Sequence, residues 1–161
     1  GAWFFRWVVG LRLADNTPGL APPGTYGRGY ARTLFAPGCV TNSRVPYASA
    51  RITSVHGKII SHWAWHSANR SLLLELTLPA NTSADIQLPA VIEPRVASVA
   101  VAGGSANVSR LVWHYGQYVP GVVGVRGAKV VTPGYANGGG DGRTEIISIS
   151  VSAGAHKFVA L

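Results

Sequence analysis

Leu72-Leu73-Leu74-Glu75-Leu76-Thr77-Leu78-Pro79-Ala80-Asn81-Thr82-Ser83-Ala84-Asp85-Ile86-Gln87-Leu88 alternates twice between apolar and polar residues. Leu72, Leu74, Leu76 and Leu78 take one side while Glu75 and Thr77 take the other. After the break, Ala84, Ile86 and Leu88 alternate with Asp85 and Gln87. Successive side chains of a strand point to opposite faces, so each half reads as a strand with one apolar face. The Pro, Asn, Thr and Ser residues between them favour a turn, which makes the stretch a hairpin with strands at 72–78 and 84–88. That pairing sets Thr77 opposite Asp85 and leaves Glu75 and Asp85 as diagonal neighbours about 7–8 Å apart. It also puts Leu74, Leu76, Ile86, Leu88 and Trp63 in one core, with Glu75, Asp85 and Gln87 facing away.

Outward from this stretch the same period recurs in short segments separated by turn residues. Strands are expected at 49–54, 58–66, 96–101, 109–115, 122–125, 129–132, 144–151 and 156–161, the pattern of a mainly β, antiparallel two-sheet β-sandwich of about eight strands. Toward the N-terminus the period changes. Trp3, Trp7 and Leu11 recur at spacing four with Phe4 and Val8 beside them, which predicts a helix over 3–13 with a broad apolar face. Arg6 and Arg12 lie off that face. So apolar a helix needs partners from outside the sandwich, and Trp3, Phe4, Trp7, Val8 and Leu11 are the expected docking residues. Residues 15–46 are rich in Pro and Gly and read as a connector crossed by one strand at 30–35. The expected organisation is therefore 1–45, helix and connector, and 46–161, β-sandwich.

Composition narrows the function. With 47% hydrophobic and 12% charged residues, the chain has the means to fold. No apolar run reaches the length of a membrane span, and no cationic start leads into a signal-like segment. Fourteen basic residues against six acidic give a net charge of +8, but the bases stand singly along the chain. A nucleic-acid footprint is usually a cluster, so nucleic acid is not an expected partner. Cys39 is the single cysteine, which excludes a disulfide within the chain and any zinc-ligand spacing. No cofactor or metal is expected. Half of the six asparagines, Asn69, Asn81 and Asn107, open Asn-x-Ser/Thr sequons, which points to a glycoprotein and a secreted or extracellular location.

Several residues carry a likeness to a known family. Tyr47-Ala48-Ser49-Ala50, Ser54-Val55-His56-Gly57-Lys58-Ile59, Trp63, residues 76–84 and Leu88-Pro89 resemble the C-terminal β-sandwich of bacterial-type α-L-rhamnosidases. The ending Val151-Ser152-Ala153-Gly154-Ala155-His156-Lys157-Phe158 is similar to that family's closing strand. Residues 1–10 followed by Pro37 look like its last barrel helix and connector. The resemblance implies a parent glycoside hydrolase whose catalytic domain is an α/α toroid, hydrolysing terminal α-L-rhamnosides with inversion. Such chemistry uses two carboxylates about 6.5–9.5 Å apart. In the family these lie before the segment matching Gly1, so no catalytic residue is carried over, and the missing barrel becomes the expected partner of the helix.

The remaining candidates are weighed on their own. Glu75 and Asp85 project from a polar sheet face and are expected to be solvated. In Ser61-His62-Trp63-Ala64-Trp65-His66 the two outer histidines are four strand residues apart, about 13 Å, too far to share an ion. Trp63 is expected in the core. Trp65, together with Trp113, His114, Tyr115 and Tyr118, is the candidate surface for carbohydrate or partner contact. Residues 138–142, Gly-Gly-Gly-Asp-Gly, lack the Lys-Ser/Thr of a phosphate loop and read as a loop tip. Two readings follow: an accessory module of an α-L-rhamnosidase-like glycosidase, non-catalytic by itself, or a repurposed carbohydrate-binding or structural subunit of a larger assembly.

Overall fold

The computed structural model describes residues 2–13, 28–38, 44–89, 98–101, 110–131 and 145–160. The expectations for Cys39, Asn107 and residues 138–142 lie outside them. A helix, α1 (Phe4–Val9), leads into ten strands: β1 (Leu11–Leu13), β2 (Arg32–Phe35), β3 (Tyr47–Ser54), β4 (Gly57–His66), β5 (Ser71–Pro89), β6 (Ser98–Val101), β7 (Arg110–His114), β8 (Gln117–Tyr118), β9 (Val125–Val131) and β10 (Ile146–Ala160). The described residues are mainly β, as the alternation requires, with the N-terminal helix and a single 3-10 turn at Arg28–Tyr30. The strand expected near residues 30–35 is β2.

The predicted hairpin is absent. Residues 71–89 form one long strand, and its partner on both sides of the break is β10. Leu72 through Leu78 face Ala160 through Gly154, and Ser83 through Pro89 face Ser152 through Ile146. Residues 79–82 thus bulge opposite Ala153 alone. Asn81 takes φ +60° there, Gly154 takes φ +130°, and the Thr82 hydroxyl donates to Pro79 O at 2.6 Å. Residues suited to a turn are equally suited to a wide bulge, and a bulge bends a strand without reversing it. The two strands expected at 144–151 and 156–161 are likewise the single β10, divided in the sequence by Ser-Ala-Gly-Ala. β9 also runs further than expected, and residues 122–124 precede it without strand structure.

The bend converts one hydrogen-bonded sheet into two layers. The first halves of β5 and the second half of β10 sit in the order β3-β4-β5-β10-β6-β7-β8. Their other halves continue as β1-β2-β5-β10-β9, with β2 parallel to β5 and the other pairs antiparallel. One buried cluster draws on both layers, from Trp63, Leu74, Leu76 and Phe158 to Phe35, Ile86, Leu88 and Ile149. Strands that pass from layer to layer through bends are a recognised way to make such corners.

Glu75 and Gln87 do face away from the core, each half-buried. Asp85 departs from the expectation of solvation, being only 3% exposed on the outer face of its layer. Its Oδ2 accepts from Arg32 Nε at 2.9 Å and lies 2.7 Å from the guanidinium terminus, while Oδ1 accepts from the Ser150 hydroxyl at 2.7 Å. The flanking strands β2 and β10 supply both partners, so the carboxylate is shielded by its neighbours instead of by the core. Replacement of buried Leu76 by alanine is expected to lower stability by about 2–5 kcal/mol in urea unfolding. The same change at exposed Thr77 should stay within about 0.5 kcal/mol.

Candidate docking site

Helix α1 is a π-type turn of six residues with no acidic residue, closed at Gly10, whose φ is +79°. The left-handed conformation suits glycine. Packing makes it obligatory as well: a Cβ on Gly10 would lie 2.2 Å from the Ala36 carbonyl carbon. Leu11 therefore belongs to β1, and the helix expected over 3–13 ends at Val9.

The last carbonyls of a helix lack partners within it, and here each of four finds one. Phe5 O accepts from Gly10 N–H, and Arg6 O from Arg12 Nε at 2.8 Å. Trp7 O accepts from Gly38 N–H at 3.1 Å, and Val8 O from the buried indole Nε1 of Trp63 at 3.0 Å. Gly10 O in turn accepts from Ala36 N–H at 2.8 Å. The helix is thus tied down by its C-terminal end to β4 and to the segment after β2.

Val8, Val9 and Leu11 are buried in the chain's own core. Trp3, Phe4, Phe5 and Trp7 remain 66, 45, 37 and 40% exposed. Of the docking residues expected from sequence, Trp3, Phe4 and Trp7 face outward, whereas Val8 and Leu11 are covered by this chain. Phe5 was missed because a spacing of four assumes α geometry, and the wider π turn redistributes the side chains around the axis. Beside the helix runs a groove of about 550 Å³, lined among others by Trp3, Phe5, Trp7, Tyr30, Arg6 and Arg12. The Arg12 guanidinium lies 4.4 Å from the centre of the Trp7 ring, a cation–π geometry. Burial pushes the Arg12 guanidinium below its ordinary range, and the like charge of Arg6 adds to the effect.

The other candidates do not gather into one site. Trp63 is fully buried, and Trp65 is half-buried against the core. Trp113 is buried and sits across from Tyr118 in the β7–β8 pair, leaving His114 and Tyr115 as the exposed members, edge to face at 4.5 Å. The carboxylate pair is separated. Glu75 stands opposite Lys157 and pairs with it at 2.8 Å, while Asp85 stands opposite Ser150. Those positions are seven residues apart along β10, about 23 Å of strand. The two carboxylates cannot act across one sugar. Among the described residues no group of three His, Cys, Asp or Glu could hold a metal, and no helix is long and apolar enough to cross a membrane. Asn69 lies in the exposed turn 67–70, its Oδ1 accepting from the Ser71 hydroxyl at 2.8 Å, and Asn81 is exposed at the β5 bulge.

Fold and site together define a two-layer β module that holds a short aromatic helix against one side. The chain belongs to the family of bacterial alpha-L-rhamnosidase C-terminal domains, whose model matches residues 19–103. No curated protein matches it. Among solved structures it is similar to the alpha-L-rhamnosidase from Dictyoglumus thermophilum, with a TM-score of 0.57 and 19% identity over 99% of this chain and 13% of that one. It is also similar to the Streptomyces avermitilis alpha-L-rhamnosidase complexed with L-rhamnose, with a TM-score of 0.48 and 19% identity over 98% of this chain and 10% of that one. The chain thus spans a small part of the length of either enzyme.

Replacing Trp63 by phenylalanine keeps an aromatic ring in the core but removes the donor to Val8 O. The orphaned carbonyl is expected to cost about 1–3 kcal/mol in equilibrium unfolding. Emission from Trp3 and Trp7 should change before the main transition as the helix loosens.

Proposed function

We propose that this chain is the C-terminal accessory module of an α-L-rhamnosidase-type glycoside hydrolase, and that it braces the catalytic domain through helix α1. The observation that carries the reading is the exposed row Trp3, Phe4, Phe5 and Trp7 on a rigidly anchored helix, in a chain of this family. Burying a large apolar side chain contributes about 1.5–3 kcal/mol, so an aromatic row of this kind favours a covering partner. Function resides in sites, and neither Glu75 nor Asp85 offers a catalytic pair here.

In the polypeptide that joins this segment to its catalytic domain, aryl α-L-rhamnosides should be hydrolysed and Trp3 and Trp7 should be shielded from acrylamide quenching. Residues 1–161 alone should show no turnover and open quenching of both tryptophans. Turnover by the segment alone that is lost in Glu75→Gln or Asp85→Asn would overturn the accessory reading, as would equal quenching in the two forms.

The proposal includes a secretory route, supported by the exposed sequon at Asn69. Mass spectrometry of the native protein before and after glycosidase treatment should find a glycan at Asn69, and unmodified asparagines in material from a eukaryotic source would remove that part.

A further inference from the structure

We infer that the groove beside helix α1 receives an acidic segment of the catalytic domain, a carboxylate of which sits between Arg6 and Arg12. The inference rests on the docking reading above and specifies the chemistry of what docks.

Two positively charged side chains face one apolar groove, and none of the residues lining it is acidic. Among the described residues neither arginine meets a carboxylate. Arg12 is held in place: its Nε donates to Arg6 O at 2.8 Å and its guanidinium carbon sits 4.4 Å from the centre of the Trp7 ring. That leaves the terminal nitrogens of the guanidinium, the pair that suits a carboxylate in bidentate fashion. Arg12 is half-buried beside the like charge of exposed Arg6, a placement that is costly for its charged form unless an anion joins it. A docking partner would deepen the desolvation, so an acidic group is the one that makes closure of this groove favourable. The excess of fourteen bases over six acids is felt locally here, since no acidic residue among the described ones lines the groove.

A polypeptide fits better than a small anion. The apolar surface continues past the groove onto Phe4, which is 45% exposed and does not line it. An acidic residue set among apolar ones on a helix or loop would cover the aromatic row and the two guanidinium groups at once.

The test uses the polypeptide that contains this segment together with its catalytic domain. Arg12→Lys keeps the charge and introduces an amine that a zero-length carbodiimide can couple to a carboxylate in direct ion-pair contact. Peptide mapping is expected to find one dominant cross-link, from position 12 to an Asp or Glu of the catalytic domain. Arg12→Glu should lower the midpoint of thermal unfolding and reopen Trp3 and Trp7 to quenching, and charge reversal at the mapped acid should restore both. Shielded tryptophans and full rhamnosidase activity with no cross-link at position 12 would overturn the acidic segment while leaving the docking reading intact. Open tryptophans in unmodified protein would overturn the docking reading itself. Saturable binding of free glucuronate to this same polypeptide, with loss of the cross-link as the site fills, would assign the groove to a small anion and overturn the proposal.

Discussion

Almost everything in this molecule depends on the pairing of β5 with β10 along their whole length. The two strands form a ribbon that bends at residues 79–82 and at Ala153, and each layer is built by adding strands to one arm of it. A bend in a paired ribbon keeps the backbone hydrogen-bonded on both sides of the corner, whereas two separate sheets would need connections that cross the core. The inward rows follow from the pleat. Leu72 to Leu78 on one arm and Ala84 to Leu88 on the other meet in a single cluster, because the bulge sets the second arm so that its own apolar row again points inward.

This is also where sequence was most and least informative. Period two identified the apolar rows on residues 72–78 and 84–88, and those rows are the core. What the period does not contain is the identity of the partner strand. Pro79, Asn81 and Thr82 carry the chemistry of a turn, and a local reading gives the nearest strand as the partner. The actual partner lies some seventy residues onward, a tertiary choice made by two long strands that share a corner. The same limitation misplaced Asp85. Alternation assigned it to the outer face, which it occupies, but its burial comes from Arg32 and Ser150 on strands to either side.

The candidate docking site was legible in part. An aromatic helix at the N-terminus was visible from Trp3, Phe4 and Trp7, and the densest part of the resemblance to the rhamnosidase family, residues 47–89, falls within the stretch that the family model covers. Gly10 ended the helix earlier than a spacing of four implied, and the π turn brought Phe5 outward. Neither the cation–π contact of Arg12 nor the role of Trp63 as a capping donor has a local signature. Trp63 is more than fifty residues from the carbonyl it caps, so a core tryptophan and a helix anchor look the same in sequence.

The margins of the sheet carry a consequence of their own. β1 has three residues and β8 two, so the ladders end there almost as soon as they begin. β9 presents exposed Arg126 and Lys129, and β3 is entered through Pro46 and carries exposed Arg51. Short or charged outer strands offer a poor template for another chain to extend. Such rims give a foreign strand little backbone to pair with, which disfavours fibre-like growth. On the proposed docking, association would instead run through side chains on the helix, where shape and charge can discriminate between partners in a way that backbone pairing cannot.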